Sequence, residues 1–230
     1  MMRDPTPATA ALTLGHDGAQ LYRGALTAHL GALLTAVDDL PDGQAGVRIN
    51  GLAPLRSFLA PTGPIGSIAA GVLGPSSRAV RAVLFDKTEG TNWSLGWHQD
   101  RTICVRQRID APGFGPWTVK GGMQHVAPPF ELLARMVTMR VHLDDVPATN
   151  APLLIAPGSH KAGRIPVDRI DAAVNRHGTA ACLAQAGDAW LYATPILHAS
   201  QAAAAPMRRR VLQIDFAAED LPGGLEWLGV

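Results

Sequence analysis

The chain has 230 residues, enough for one well-filled core. Lys and Arg number 20 against 19 Asp and Glu, a formal charge of +1, and that balance excludes the concentrated basic face that nucleic acid or an anionic membrane would need. Two cysteines, Cys104 and Cys182, make no disulfide framework and match no zinc-knuckle spacing, so both read as small buried hydrophobes.

In chain order, the opening MMRDPTPATAALTLGHDG carries Asp4 and two prolines and lacks the apolar run of a signal segment. No later stretch approaches the ~18–20 apolar residues of a membrane span. The expectation is a soluble cytoplasmic protein. From Gly18 to Asp39, Leu21, Leu26, Leu30, Leu33, Leu34 and Val37 recur at helical steps, and a second short helix is expected between Pro64 and Leu73. Residues 1–77 therefore read as a helical preface.

From Arg78 the texture changes to short β-prone runs separated by turn residues: Ala79–Phe85, Thr102–Val105, Val137–Leu143, Leu153–Ile155, Ala189–Tyr192 and Arg210–Phe216. Strands without regular helical crossovers predict a mainly β sandwich or jelly roll, with the N-terminal helices packed outside. We expect one domain over residues 1–230, its core spanning 78–230. A long Gly/Pro-rich connector, residues 108–129, reads as a structureless, lid-like loop over a site. It carries Trp117, Gln124 and His125, which with Trp93 are candidates for substrate contact. Residues 164–175 have a helical look.

The sharpest motif is WHQD, residues 97–100. In an extended segment residues i and i+2 share a face, so His98 and Asp100 converge while Gln99 turns away. An imidazole and a carboxylate on one face supply two ligands for a divalent ion, and a third from elsewhere completes a facial triad with open positions. The stretch GDAWLYATPILHASQAAAAPMRRRVLQIDF offers that third ligand in His198. Arg209, eleven residues later, can return along a neighbouring strand and present its planar fork to a carboxylate. Ser200 lies two positions after His198 and can add a hydroxyl on the same face. Alternation along Arg208, Arg209 and Arg210 places Arg209 on one face and its neighbours on the other; a solvated edge is the competing reading.

At this point the chain resembles the phytanoyl-CoA dioxygenase family of Fe(II)/2-oxoglutarate oxygenases. The likeness rests on FDK…TNWSLGWHQD, on HLDD followed by NAPLLIAPGSHKAGRI, on GDAWLYATPILHAS and on RRRVLQIDF, and spans roughly two-thirds of the chain. It implies a double-stranded β-helix, with Fe(II) held by His98, Asp100 and His198 as the catalytic centre. It further implies 2-oxoglutarate gripped at its far carboxylate by Arg209 and Ser200, dioxygen as co-substrate, and release of succinate and carbon dioxide. The implied substrate is a small molecule or natural-product intermediate, hydroxylated or otherwise oxidised. One departure is visible: the stretch before Arg208 reads QAAAAPM where an Asn and a Ser are usual. Halogenating relatives replace the carboxylate by a small residue, so Asp100 favours oxygenation.

Several residues carry competing readings. Lys87 and Asn92 are candidates for the keto-acid end of the co-substrate, or else a surface lysine and a turn asparagine. A second H-x-D, His142 to Asp144, is an alternative ligand pair or a strand end running into a turn. His160 reads as a residue that pins its loop. Two other functions stand as rivals: a cupin-type metalloenzyme that does not use 2-oxoglutarate, for which Arg209 has no purpose, and a non-catalytic jelly-roll binding module.

Overall fold

A computed structural model describes residues 6–7, 11–205 and 207–230. The strands are β1 (Thr6–Pro7), β2 (Ala19–Tyr22), β3 (Val47–Ile49), β4 (Arg78–Lys87), β5 (Leu95–His98), β6 (Ile103–Val105), β7 (Trp117–Lys120), β8 (Met123–Val126), β9 (Val137–His142), β10 (Leu153–Ile155), β11 (Ala180–Cys182), β12 (Ala189–Ala193), β13 (His198–Ser200) and β14 (Arg209–Ala217). The helices are α1 (Leu14–Asp17), α2 (Leu30–Val37), α3 (Arg56–Leu59), α4 (Gly66–Leu73), α5 (Phe130–Ala134) and α6 (Ile170–His177).

Pairing sorts these strands into a large sheet of order β2-β12-β9-β14-β4-β3, a smaller one of order β1-β11-β10-β13-β5, and a β6-β8-β7 sheet beside them. Pairing is antiparallel except for β1 with β11. This is the mainly β, jelly-roll architecture expected from the sequence.

Alternation explains the layers. On one face of the large sheet, Leu84, Met139, Val141, Leu191, Leu212 and Ile214 form an apolar cluster with Leu33, Val37, Leu59 and Ala69 from α2, α3 and α4. On the opposite face, Trp190 and Tyr192 pack against Leu153, Ile155 and Cys182 of the smaller sheet. The indole Nε1 of Trp190 donates to Leu183 O at 2.9 Å, tying the layers together. Gly66 opens α4 because a Cβ there would lie 2.0 Å from Ala60 O. Both cysteines are buried and free.

The preface is not purely helical. Residues 19–22, expected within a helix, form β2 and pair with β12, while β3 pairs with β4, so both outer strands of the large sheet come from residues 1–77. Sheet partners distant in sequence override the local helical spacing here. The 108–129 connector is not structureless either: β7 and β8 form a hairpin whose turn residues Gly121 and Gly122 both have positive φ, 55° and 75°. The helical look of 164–175 is met by α6. The reading that the first residues hold no signal segment falls largely on positions outside the described residues. Among the described residues, no helix is long and apolar enough to cross a membrane.

Candidate metal centre

His98 ends β5 and His198 opens β13, and the antiparallel register sets them directly opposite each other, with ring centroids 4.3 Å apart. Each Nδ1 faces the carbonyl two residues back in the chain: Gly96 O at 2.8 Å from His98, Ile196 O at 3.0 Å from His198. A carbonyl only accepts, so the neutral ring carries its proton on Nδ1 and leaves the Nε2 lone pair free. Burial, opposed by the charge of Asp100, depresses the His198 pKa to about 4, which keeps the ring neutral and able to ligate. Asp100 follows two residues after His98, and one ligand atom from each of the three lies within 4.8 Å of the others.

The residue between the two WHQD ligands does more than turn away. Gln99 Nε2 donates to Gly163 O at 3.0 Å and Pro195 O at 2.8 Å, and its Oε1 accepts from Ile165 N at 2.9 Å. One buried amide thus ties the end of β5 to the segment leading into β13, fixing the ligand-bearing strands to each other.

Behind Asp100 lies a polar chain on the inner face of the large sheet. Arg81 Nη2 stands 3.4 Å from Asp100 Oδ2, and its Nε 2.6 Å from Asp215 Oδ2. Thr138 Oγ1 donates to Asp215 Oδ1 at 3.1 Å and meets Thr194 Oγ1 at 3.0 Å. Burial alone would raise the Asp100 pKa, but Arg81, followed by His198 and His98, pulls it below the ordinary carboxylate value. Two imidazoles, each with Nδ1 held by a carbonyl, and an ionised carboxylate, facing a cavity, make a donor set suited to a divalent transition metal with open positions.

That cavity, of about 560 Å³, is lined by His98, Asp100 and His198 at one part and by Ser200, Arg209 and Arg140 at another. Arg209 and Lys87 are direct cross-strand neighbours on β14 and β4. Lys87 is 2% exposed, far from the surface lysine that was one reading of it. Its Nζ donates to Trp93 O at 2.6 Å, Gln201 O at 2.8 Å and Ser200 Oγ at 3.2 Å. Arg209 Nη1 donates to Ala151 O. Arg140 Nη1 donates to Gln213 Oε1 at 2.8 Å. Among the described residues none of these three cations has an acidic partner within salt-bridge distance. Burial, then Arg209 and Arg140, lowers the Lys87 pKa to about 8, and burial with Arg140 lowers that of Arg209 to about 9. Like charges placed opposite each other without a counterion destabilise a sheet, and an anion bound between them removes that cost.

Other residues singled out from the sequence fall elsewhere. Arg208 faces away from Arg209 and pairs with Asp86 and Asp42, and Arg210 pairs with Asp144, as alternation requires. That contact engages the carboxylate of the second H-x-D, and His142 lies buried with both ring nitrogens unpartnered, apart from the ligand cluster. Asn92 bonds reciprocally with Ala203, donating to its carbonyl at 3.0 Å and accepting from its amide at 2.6 Å, so its side chain staples the loop after β13. Trp93 lines the cavity, whereas Trp117, Gln124 and His125 stand on the hairpin outside its lining. His125 is 1% exposed and points Nδ1 at Met123 O, so it presents no ring edge to solvent. His160 lies in the turn 159–162 against Gly18. Gln99, Arg81, Asp215, Arg140 and Gln213 escape motif reasoning. Their signal is polar residues alternating with apolar ones inside strands, as in Gln213 and Asp215 among Leu212, Ile214 and Phe216.

The structure is similar to that of EctD from S. alaskensis in its apoform, with a TM-score of 0.65 and 16% identity, covering 100% of this chain and 88% of that one. HygX from Streptomyces hygroscopicus, with nickel and 2-oxoglutarate bound, gives 0.60 at 16% identity over 90% and 87%. The epimerase SnoN, in complex with Fe3+, alpha ketoglutarate and nogalamycin RO, gives 0.61 at 16% over 92% and 88%. At such identities the likeness is one of fold. No curated protein matches the sequence. Residues 63–211 match the family described as Phytanoyl-CoA dioxygenase (PhyH), a span that holds the three clustered donors and Arg209. The chain belongs to that family, and is an oxygenase of its iron- and 2-oxoglutarate-dependent class.

Proposed function

We propose that this protein, acting as one domain over residues 1–230, hydroxylates a small molecule at a carbon held before His98, Asp100 and His198. The observation that carries the reading is the pairing of two complementary ends in one cavity: a donor set of His98, Asp100 and His198, and two cations without an acidic partner, Arg140 and Arg209, on the large sheet, with Lys87 buried directly across from Arg209. A metalloenzyme that does not use a dicarboxylate leaves these cations without purpose.

On this reading His98 Nε2, His198 Nε2 and an Asp100 oxygen hold iron(II), and the carbonyls of Gly96 and Ile196 keep both imidazoles in the ligating tautomer. When bound, the metal supplies oxidative C–H chemistry in which dioxygen and 2-oxoglutarate are consumed and succinate and carbon dioxide are released. Arg209 presents its fork to the far carboxylate, with the Ser200 hydroxyl beside it and Lys87 adding charge behind. Arg81, anchored by Asp215, holds Asp100 ionised and fixed in orientation. Trp93 and Phe85, 6.4 Å apart, line the cavity with apolar surface that excludes water and positions the substrate.

Anaerobic titration with Fe(II) and 2-oxoglutarate tests the reading. A visible charge-transfer band in the wild type, followed by substrate-dependent succinate release in air, is the expected result. A folded, metal-loaded protein with no band would sink it.

A further inference from the structure

The charge of the cavity extends beyond what the donor set and the co-substrate use. Six cationic side chains line it, Arg48, Arg81, Arg101, Lys120, Arg140 and Arg209, against the single acid Asp100. Asp215 behind Arg81 brings the count to six against two. A divalent metal and a dicarboxylate would add equal and opposite charge, so the surplus survives loading.

The register shows where it sits. Arg48 on β3 lies opposite Val83, Val83 opposite Gln213, and Gln213 opposite Arg140. Arg48 therefore ends a transverse row on the cavity face of the large sheet, at its outer strand. The turn of the β7–β8 hairpin reaches the same point: a Cβ on Gly121 would lie 3.4 Å from Arg48 Cδ and 3.9 Å from its Nη1. Lys120, the residue before that turn, lines the cavity as well. Both cations are exposed, and neither has an acidic partner among the described residues. Leu95, 51% exposed on the outer strand of the smaller sheet, and Trp93 give the same cavity an apolar wall.

Resting on the proposed function, we propose that Arg48 and Lys120 form an anion subsite at the cavity rim, so that the substrate is a small amphipathic molecule. It carries a carboxylate or phosphate at the end remote from the oxidised carbon. Two unpaired cations on different elements, converging on one opening, select charge where a single surface lysine would not. The volume of about 560 Å³, shared with the co-substrate, limits the substrate to a compact one.

The test uses the full chain, loaded anaerobically with Fe(II) and saturating 2-oxoglutarate so that the Arg209 end is filled. Benzoate and phenyl phosphate are titrated beside their neutral counterparts benzamide and phenol, followed by calorimetry and by perturbation of the visible band. Whichever anion the subsite prefers binds about tenfold more tightly than its neutral counterpart. In R48Q/K120Q that preference disappears while the band persists, and R48K restores part of it. Raising salt weakens only the anionic probes. Equal binding of anionic and neutral probes overturns the inference, as does a preference unchanged in R48Q/K120Q. Loss of the band in the wild type is a separate result that counts against the proposed function. The calorimetric difference between wild type and R48Q/K120Q still decides the subsite in that case.

Discussion

On the outer face of the large sheet, Leu84, Met139, Leu191, Leu212 and Ile214 meet the helices. One residue along the same strands, Phe85, Arg140, Tyr192, Gln213 and Asp215 face the smaller sheet and the cavity. The outer row asks only for apolar volume, which many side chains satisfy. The inner row asks each group for a named partner: Arg140 for Gln213, Arg81 for Asp215, Thr138 for both Asp215 and Thr194. Parity along a strand thus divides stability from chemistry, and the two can be perturbed independently.

The largest effect tests the chemical side. His198→Ala removes one of three donors, and the visible band with Fe(II) and 2-oxoglutarate disappears while the melting temperature stays near that of the wild-type apo protein; a persisting band would remove His198 from the donor set. Leu212→Ala, one parity step from Gln213, costs about 2–5 kcal/mol of stability by denaturant titration. It leaves 2-oxoglutarate affinity unchanged in protein that remains folded, and a matching fall in affinity would break the division by faces. Arg209→Ala forfeits charged hydrogen bonds worth about 1.5–3 kcal/mol, so half-saturation needs roughly ten- to a hundredfold more 2-oxoglutarate.

Lys87 gives a pH test of the same end. Its pKa of about 8 in the protein means the cation is lost above that pH, and 2-oxoglutarate affinity declines there; Lys87→Met flattens the dependence. The sign for stability is opposite. Between about 8 and the ordinary 10.5 the unfolded chain binds more protons than the folded one, so the apo protein gains stability as pH rises through that window. Thr138→Val is the smallest change, about 1 kcal/mol, and loosens the Asp215 anchor without touching a donor.

Much of this division is legible in the sequence. Leu153–Ile155 emerges to the residue as β10, and β9, β12 and β14 to within a residue or two of their ends, because short β-prone apolar runs bounded by turn residues need no distant partner to be recognised. WHQD and the later His198 give the donor cluster for the same reason: two donors are local in the chain. Ala19–Tyr22 and Val47–Ile49 are missed because they are short and owe their strand state to β12 and β4. The hairpin signal was present in Lys120-Gly121-Gly122-Met123, masked by the Gly/Pro-rich residues before it. Gln99, Arg81 and Asp215 cannot be weighed until it is known which side of each strand faces the cavity, and alternation alone does not say which side is which.

On the proposed assignment the three metal donors lie on or next to the smaller sheet, with Ser200 beside them on β13, while Arg209 lies on the large sheet. A diacid engaged at both ends is therefore a strut between layers, and its carbon chain is a gauge of the gap. If that assignment holds, only a chain of the right length reaches Arg209 while its other end meets the metal. Linkage then makes the ligand a cross-brace whose stabilisation grows with the logarithm of its concentration, and homologous diacids one carbon shorter or longer should brace the sandwich less.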